Sequence, residues 1–324
     1  MTNTPLGIDV SKATLDVSVT IAGKPLGRTF KNTEAGYSEL LGWLVHRKVG
    51  LVHAGLEATG RYSLGIALAL HAAGHRVSIV NPAQIRDFVR SRLGRNKNDA
   101  VDCAHIREYV AMFSPRAWVP PSLALRRLCE LQTMRDGFVS GLVEWKNRSG
   151  SSAGEPKALA LAATTIAHFL AQIETVEAQI KQTIDEDDDL RSKRDLLVSI
   201  NGVGPTLAAI ILAELPGSDV ISSSGRAVAY AGLNPRQFQS GSSINHPTRI
   251  SKIGNAKLRS ALFMPAMVAM RHNQAIMALA ERLRAGGRLK PKQILIAAMR
   301  KLLVLCFGVL KTGKPFNATL AMPG

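Results

Sequence analysis

Near its N-terminus the chain reads Leu6-Gly7-Ile8-Asp9-Val10-Ser11-Lys12, a stretch in which apolar and polar residues alternate. Alternation with a period of two is typical of a half-buried β-strand. Residues 15–21 alternate again, and the turn Ala22-Gly23-Lys24-Pro25 separates them from a third predicted strand over residues 26–30. The sequence therefore predicts a sheet that begins with antiparallel strands, and it places Asp9 on a central strand.

Strands and helices alternate in the rest of the N-terminal half. The spacing of apolar residues predicts strands over residues 51–56 and 75–80 and helices over residues 34–46, 62–73, 83–93 and 99–113. Strands followed by alternating strands and helices form an α/β domain around one mixed sheet. A further helix is predicted over residues 122–148, and the Ser/Gly-rich stretch 149–154 reads as a linker.

A stripe of apolar residues at alternating spacings of three and four follows the linker, and it consists of Leu159, Ala162, Ile166, Phe169, Ile173, Val176 and Ile180. This spacing is typical of a short coiled-coil seam. The stripe packs either against a partner helix or against its own chain, and the sequence leaves both open. We predict three segments: an α/β catalytic domain over residues 1–150, coiled-coil or linker helices over 151–195, and a mostly α-helical domain over 196–324.

The charge is large and uneven. The chain carries a formal net charge of +17, and residues 196–324 hold 16 Lys/Arg against 3 Asp/Glu, a net charge of +13. A domain with this balance repels itself unless a polyanion is nearby, so nucleic acid is the expected partner. Aromatic residues make up only 5% of the chain, which argues against base stacking on an aromatic platform.

Cysteine usage and hydropathy point to the cytoplasm. Cys103, Cys129 and Cys306 are widely separated and have no CxxC spacing, which excludes a cysteine zinc site and suits a reducing compartment. No signal-peptide pattern opens the sequence. The apolar tail segment 294–310 is interrupted by Arg300 and Lys301, so we expect a core helix and no membrane partner.

Four carboxylates are candidates for a metal site. Asp9 lies inside an apolar strand, Glu57 closes the apolar run 51–56, and Asp99 and Asp102 share one face of a predicted helix. Oxygen ligands of this kind suit Mg²⁺ or Mn²⁺, and two such ions can activate the attacking oxygen and stabilise the leaving oxygen of a phosphodiester. Taken singly, Asp99 is also explained as a helix cap, and Glu57 as an ordinary loop residue.

The basic C-terminal segment has two candidate contacts for nucleic acid. Gly202 and Gly204 permit a tight turn before a helix that begins near Pro205, and backbone amides at such a turn can bind a phosphate. The alternative is a purely structural connection between helices. Five cationic side chains are expected to contact phosphate or RNA, and they are Arg236, Arg249, Lys252, Lys257 and Arg259. The alternative is that they form a solvated face.

Several separated motifs resemble one known family. They are Gly7-Ile8-Asp9-Val10-Ser11-Lys12, Glu57-Ala58-Thr59-Gly60, Asn98-Asp99-Ala100-Val101-Asp102 and Ala231-Gly232-Leu233-Asn234-Pro235. In this order they resemble insertion-sequence transposases with a RuvC-like DEDD domain, relatives of the Piv-type DNA invertases. The resemblance implies an RNase H-like (RuvC-like) N-terminal domain in which Asp9, Glu57, Asp99 and Asp102 bind Mg²⁺.

The resemblance also implies a nucleophile and a set of partners. The stretch Pro235-Arg236-Gln237-Phe238-Gln239-Ser240-Gly241 matches the part of the family that carries a catalytic serine, which makes Ser240 the candidate, with Ser242 and Ser243 as alternatives. Family members build the site from two protomers, so a dimer or tetramer is expected. A structured noncoding RNA guides them to double-stranded donor and target DNA in the cytoplasm, in association with the nucleoid.

The resemblance implies a DNA transposase or site-specific recombinase that cleaves and exchanges strands, and three other functions compete with it. A RuvC-like junction nuclease would use the same carboxylates to activate water and would leave no covalent adduct. A sugar or acetate kinase shares the first strand but needs glycine-rich phosphate loops that do not follow residue 51. A non-catalytic nucleic-acid binder would gain no stability from Mn²⁺.

Overall fold

The structure is a computed structural model that describes residues 3–58, 60–92, 99–151, 154–217, 220–240 and 244–321. Within these ranges the side chains of residues 61, 99–101, 236–240, 244–249 and 320–321 lie outside the description. The chain divides into two compact units, Met1–Pro120 and Pro121–Gly324. The predicted first boundary was residue 150, so the helix that precedes it lies with the second unit.

The first unit is built on a five-stranded mixed sheet of β1 (Thr4–Val10), β2 (Thr14–Ile21), β3 (Lys24–Lys31), β4 (Val52–Glu57) and β5 (Arg76–Val80). The strand order is β3-β2-β1-β4-β5. β1, β2 and β3 pair antiparallel, whereas β4 runs parallel to β1 and β5 parallel to β4. This order and these directions are those of the RNase H-like fold, and the predicted mixed sheet with β1 at its centre is confirmed.

Helices cover both faces of this sheet. They are α1 (Glu34–His46), α2 (Leu64–Ala72), α3 (Pro82–Ser91) and α4 (Asp99–Phe113), and a 3-10 turn at Gly60–Ser63 precedes α2. Leu6 and Ile8 are fully buried in a core shared with Leu40 of α1 and Leu70 of α2. The alternation in β1 therefore sends its apolar side chains to one face and leaves Gly7 and Asp9 on the other.

A buried polar network ties the segment after α4 to this sheet. His53 Nε2 and Ser78 Oγ lie 2.8 Å apart, and Ser78 Oγ lies 3.0 Å from the Pro115 carbonyl and 2.7 Å from that of Arg116. Burial, and to a lesser extent the charge of Arg76, lower the pKa of His53 to about 4 from its ordinary 6.5. His53 is therefore neutral in the folded protein near pH 7.

We expect this histidine to make the folded protein acid-sensitive. Between pH 6.5 and pH 4 the unfolded chain binds a proton at His53 that the folded chain does not, so the free energy of unfolding falls as the pH falls. The loss reaches about 3 kcal/mol by pH 4, since each unit of pKa shift corresponds to about 1.4 kcal/mol. Urea unfolding across this pH range measures it. His53→Gln should have a flatter profile, and equal slopes for the two proteins would contradict the prediction.

The second unit is mostly helical, as predicted. Its helices are α5 (Leu123–Gly150), α6 (Pro156–Glu186), α7 (Asp188–Val198), α8 (Pro205–Glu214), α9 (Ser224–Tyr230), α10 (Ala256–Ala261), α11 (Phe263–His272), α12 (Gln274–Ala285), α13 (Pro291–Thr312) and α14 (Ala318–Ala321). α13 lies in the core of this unit, because Leu302, Leu303 and Cys306 are fully buried. The segment 294–310 is therefore a core helix, as its interrupting charges indicated.

α5 and α6 form an antiparallel pair. Arg135 Nε lies 2.7 Å from Glu177 Oε1, and the aromatic ring of Phe169 covers Gly141, so residue numbers rise on one helix as they fall on the other. The predicted apolar stripe on α6 is buried or half-buried at every position. Of the two open alternatives, the structure shows packing within the chain; a seam with a partner chain stays a prediction.

One element of the second unit was not predicted. Residues of β6 (Pro235–Ser240) pair antiparallel with β7 (Ile244–Ile250), with an irregularity between Arg236 and Phe238. We expected this region to be a Ser-rich loop within a helical domain. The hairpin was missed because its second strand contains Pro247, which interrupts a ladder of hydrogen bonds and lowers the strand signal.

In the part of the chain that the structure describes, two helices are long and apolar enough to cross a membrane by length and composition alone, α6 and α13. Core helices of soluble proteins satisfy the same criterion. α13 is such a helix, and α6 packs its apolar stripe against α5.

Candidate active site and nucleic-acid interface

Asp9 and Glu57 lie side by side at one edge of the sheet. β1 and β4 are parallel and pair with Ile8 opposite Leu56, so Asp9 and Glu57 occupy the next matched positions at the carboxyl ends of their strands. Both residues are half-buried. Matched positions on neighbouring strands point to the same face. The sequence prediction that these two carboxylates converge is therefore supported by the strand register.

Two glycines allow α4 to approach this same face. A side chain at Gly7 would collide with the backbone of Cys103 and Arg107, and one at Gly55 would collide with Val110. Because Gly7 and Gly55 each lie two residues before a carboxylate, α4 crosses the face that carries Asp9 and Glu57. Asp102 belongs to the N-terminal part of that helix, directly before buried Cys103.

Replacement of Gly7 by Ala is expected to displace α4. The added methyl group would meet backbone atoms, which cannot rotate away, so we expect the free energy of unfolding to fall by roughly 3 kcal/mol. Chemical denaturation measures this loss. Gly27→Ala on β3 is the matched control, since its nearest neighbour would lie at 3.4 Å, and it should change stability by less than about 0.5 kcal/mol. Equal stabilities would contradict the close approach of α4.

A fifth carboxylate, Asp16, was missed by the sequence analysis. It lies on β2 directly opposite Asp9 and accepts a 2.5 Å hydrogen bond from Thr29 Oγ1. Burial, and then the charges of Asp16 and Asp9, raise the pKa of Cys103 to about 11, which places both carboxylates near that thiol. The signal was present in the alternating stretch that contains Asp16, but only the register with β1 shows that the two carboxylates are neighbours.

The strand register places Asp9 and Glu57 at matched positions, but the described side chains of Asp9, Glu57 and Asp102 are not gathered into one metal-holding group. Within the ranges given above, no three Asp, Glu, His or Cys side chains form a group that could hold one ion. The side chain of Asp99 lies outside these ranges, although its backbone begins α4. The donors present at this edge are carboxylate oxygens, which are the ligands that Mg²⁺ and Mn²⁺ prefer. The chemistry of the residues therefore fits a hard divalent ion.

The predicted glycine turn precedes α8 in the second unit. Gly202 has a φ of 103°, and a side chain there would come within 2.7 Å of Ala269, so the turn requires glycine for two reasons. Gly204 is the N-cap of α8 and supplies no side-chain cap, and Pro205 occupies the first turn. The first amide groups of α8 are thus left for another acceptor.

The predicted cationic residues have different surroundings. Lys257 Nζ lies 3.0 Å from Asp136 and 3.6 Å from Glu214, so its charge is balanced within the chain. Arg259 Nη1 donates a 2.9 Å hydrogen bond to the Ala231 carbonyl and thereby supports the turn at Gly232. Both cations have a structural role, which sequence reasoning could not foresee. Lys252 is exposed and has a φ of 56°.

The remaining predicted residues lie on the hairpin. Arg236 and Arg249 occupy opposite positions in the register of β6 and β7, and Ser240 is the last residue of β6, paired with Ile244. The side chains of Arg236, Arg249 and Ser240 lie outside the described residues. The alternatives Ser242 and Ser243 lie outside them altogether. The backbone therefore places the serine candidate at one end of the strand pair and the two arginines at the other.

Family comparisons match both parts of the chain. Residues 6–151 match a transposase family of the IS110 DEDD type, and residues 194–281 match the Transposase IS116/IS110/IS902 family. The pilin gene-inverting protein of Moraxella bovis is 32% identical over 320 residues, 98% of this chain and 98% of that protein. The transposase for insertion sequence element IS1328 of Yersinia enterocolitica is 27% identical over 225 residues, 61% of this chain and 65% of that protein.

One solved structure, the Thermus thermophilus RuvC in complex with a Holliday junction substrate, is 17% identical, with a TM-score of 0.27 over 35% of this chain and 94% of that chain. The family assignment comes from the sequence relatives, which extend over nearly the whole chain. The chain belongs to the IS110 family of transposases and is a DNA transposase or recombinase.

Proposed function

We propose that this enzyme cuts and rejoins DNA with a serine nucleophile on the second unit and a divalent-metal centre on the first. The observation that carries the proposal is the matched position of Asp9 and Glu57 on parallel strands, on the face that α4 crosses with Asp102. The family membership makes DNA the substrate. The family membership also argues against the kinase interpretation, because both parts of the chain match transposase families and the relatives that cover 98% of it are pilin gene-inverting proteins.

Asp9, Glu57, Asp99 and Asp102 would hold Mg²⁺, or Mn²⁺ in its place. When bound, such an ion lowers the pKa of a coordinated hydroxyl and neutralises charge on the phosphate. The protein's own part is to place Asp9 and Glu57 at matched positions of parallel strands and to carry Asp99 and Asp102 in the first turn of α4. Asp16 adds negative charge beside Asp9 on the same side of the sheet.

Ser240 is the proposed nucleophile, by resemblance to the serine-bearing members of the family. Its hydroxyl oxygen would form a bond to phosphorus as the bond to one deoxyribose oxygen breaks, and the hydroxyl proton would pass to that departing oxygen. The free DNA hydroxyl of another strand later attacks the phosphoserine and restores the serine. A position at the end of a two-stranded sheet suits this role, because the end of a strand pair can reach a DNA backbone.

The second unit is the proposed nucleic-acid interface. The excess of 16 Lys/Arg over 3 Asp/Glu in residues 196–324 favours binding to a phosphate backbone. The glycine turn at Gly202 and Gly204, with Arg236, Arg249 and Lys252, is proposed to contact phosphates. By the same resemblance, a structured noncoding RNA pairs with the double-stranded donor and target DNA, and the protein works in the cytoplasm at the nucleoid.

A homo-oligomer, a dimer or tetramer, is proposed because the family builds one site from two protomers. The α5–α6 pair offers exposed apolar side chains that include Val143, Leu161 and Leu170. Exposed apolar groups on a helix pair are typical of a surface that a further helix covers. The predicted coiled coil between chains belongs to this proposal.

A junction nuclease that activates water is the second candidate, because it would use the same carboxylates. The two reactions differ in their products, since only the serine mechanism leaves protein attached to DNA. Incubation with labelled target DNA, guide RNA and Mn²⁺, followed by denaturing electrophoresis, separates them. We expect a labelled band at the mass of protein plus DNA, and cleavage without that band would favour the nuclease.

A further inference from the structure

A pocket of about 430 Å³ opens within the second unit, between α5, α6, α7 and the first turn of α8. Its walls are largely apolar and include Ile180, Ile184, Val198 and Ala209. Apolar walls of this kind accept a flat, poorly hydrated group more readily than an ion. The pocket is separate from the carboxylates of β1 and β4, which belong to the first unit.

One polar atom in the wall has no hydrogen-bond partner in the described part of the chain. Gln132 on α5 is 2% exposed and lines the pocket, and its Oε1 accepts no hydrogen bond from any residue that the structure describes. A buried amide oxygen without a donor is costly, so most such groups in folded proteins are satisfied by protein, water or ligand. Gln132 also borders a second cavity, lined by Asp136, Glu214 and Lys257, and of the two it is the apolar pocket that a bound group with a donor would enter.

The rim of the pocket carries one lysine whose charge no described carboxylate balances in an ion pair. Arg135 pairs with Glu177, and Arg194 pairs with both Asp185 and Asp195, whereas exposed Lys181 has no ion pair within the described residues. Thr206, in the first turn of α8, also lines the pocket, and that turn has no side-chain cap. A lysine and the uncapped start of a helix together favour a phosphate at the mouth.

We propose that this pocket receives one unpaired nucleobase of a bound nucleic acid. The base would lie between the apolar walls, and its edge would pair with the amide of Gln132, which can donate and accept at the same time. The phosphate of that nucleotide would lie by Lys181 and the start of α8. Adenine suits the site, since a glutamine amide forms two hydrogen bonds to adenine, and it serves as the probe.

A bulged duplex tests this without requiring catalysis. The probe is a duplex with one bulged adenosine, and the reference is the same duplex with an abasic bulge, which has the same number of phosphates. Both duplexes are made once as DNA and once as RNA, so that the two arms of the experiment show whether a DNA base or an RNA base enters the pocket. We expect the wild type to bind the adenosine bulge at least about 10-fold more tightly in one arm or both, as a bidentate base contact typically provides.

Gln132→Leu keeps the volume of the side chain and removes its amide. It should lower the ratio of the affinity for the adenosine bulge to that for the abasic bulge below about 2, without weakening binding of the abasic duplex. Ala209→Leu, which fills the pocket, should do the same, and Gln179→Leu on the exposed side of α6 should keep the wild-type ratio. A wild-type ratio near 1, or an unchanged ratio in Gln132→Leu, would overturn the proposal. The abasic duplex reports general nucleic-acid binding, so its retention separates this failure from failure of the proposed function.

Discussion

Replacement of Asp9 by Asn is expected to reduce recombination more than about 100-fold while the protein stays folded. Loss of a partner in the outer shell of a metal site typically costs 10–100-fold, so loss of a direct ligand should cost more. Folding should survive because Asn has the shape of Asp and because Asp16 lies directly opposite, so the substitution removes a repulsion between like charges. A plasmid recombination assay and thermal unfolding measure the two effects.

The matched control for this variant is Asp87→Asn on α3. Asp87 is an exposed carboxylate, 66% accessible, and lies 3.6 Å from Arg86, so the same change of charge there should leave recombination within about 2-fold of wild type. Recombination by Asp9→Asn at more than a tenth of the wild-type rate would refute a catalytic role for this carboxylate. A large fall in melting temperature would instead indicate a structural role.

Replacement of Ser240 by Ala is expected to abolish the covalent protein–DNA adduct and recombination together. Removal of a covalent nucleophile costs roughly 10⁴-fold or more, because the remaining groups cannot form the intermediate. Binding of DNA and RNA should be unchanged, since the hydroxyl contributes no charge. Denaturing electrophoresis measures the adduct, and a gel shift under native conditions measures binding.

Two neighbouring serines provide the comparison. Ser242→Ala and Ser243→Ala remove the same hydroxyl from the same stretch of sequence and should form the adduct at close to the wild-type level. An adduct that persists in Ser240→Ala and disappears in one of these variants would move the nucleophile to that position. Persistence in all three variants would remove the nucleophile from this loop.

The fold of the first unit could be predicted well because its signals are local. The predicted helices over residues 34–46 and 99–113 coincide with α1 and α4, and the predicted strands differ from those observed by one or two residues. Thr33 caps α1 through a hydrogen bond to the Gly36 amide, which is the kind of boundary that a sequence carries in itself. Alternation predicted β1 as a strand, and the strand order of the structure confirms its central position.

Features that depend on contacts between distant residues could not be predicted. Asp16 becomes a neighbour of Asp9 only through the register of β1 and β2, and α4 reaches this face only because Gly7 lacks a side chain. Lys257 looked like a phosphate contact until the structure placed it between Asp136 and Glu214. The sequence shows which residues are cationic, whereas only the folded structure shows which of them are already paired with carboxylates.

The position of Mn²⁺ in crystals of the protein, found from its anomalous scattering, tests the metal site most directly. We expect a peak about 2.0–2.4 Å from carboxylate oxygens of Asp9 and Glu57, with Asp99 or Asp102 completing the coordination. Manganese found only at other acidic residues, with Asp9 and Glu57 in contact with none, would contradict the proposed metal site.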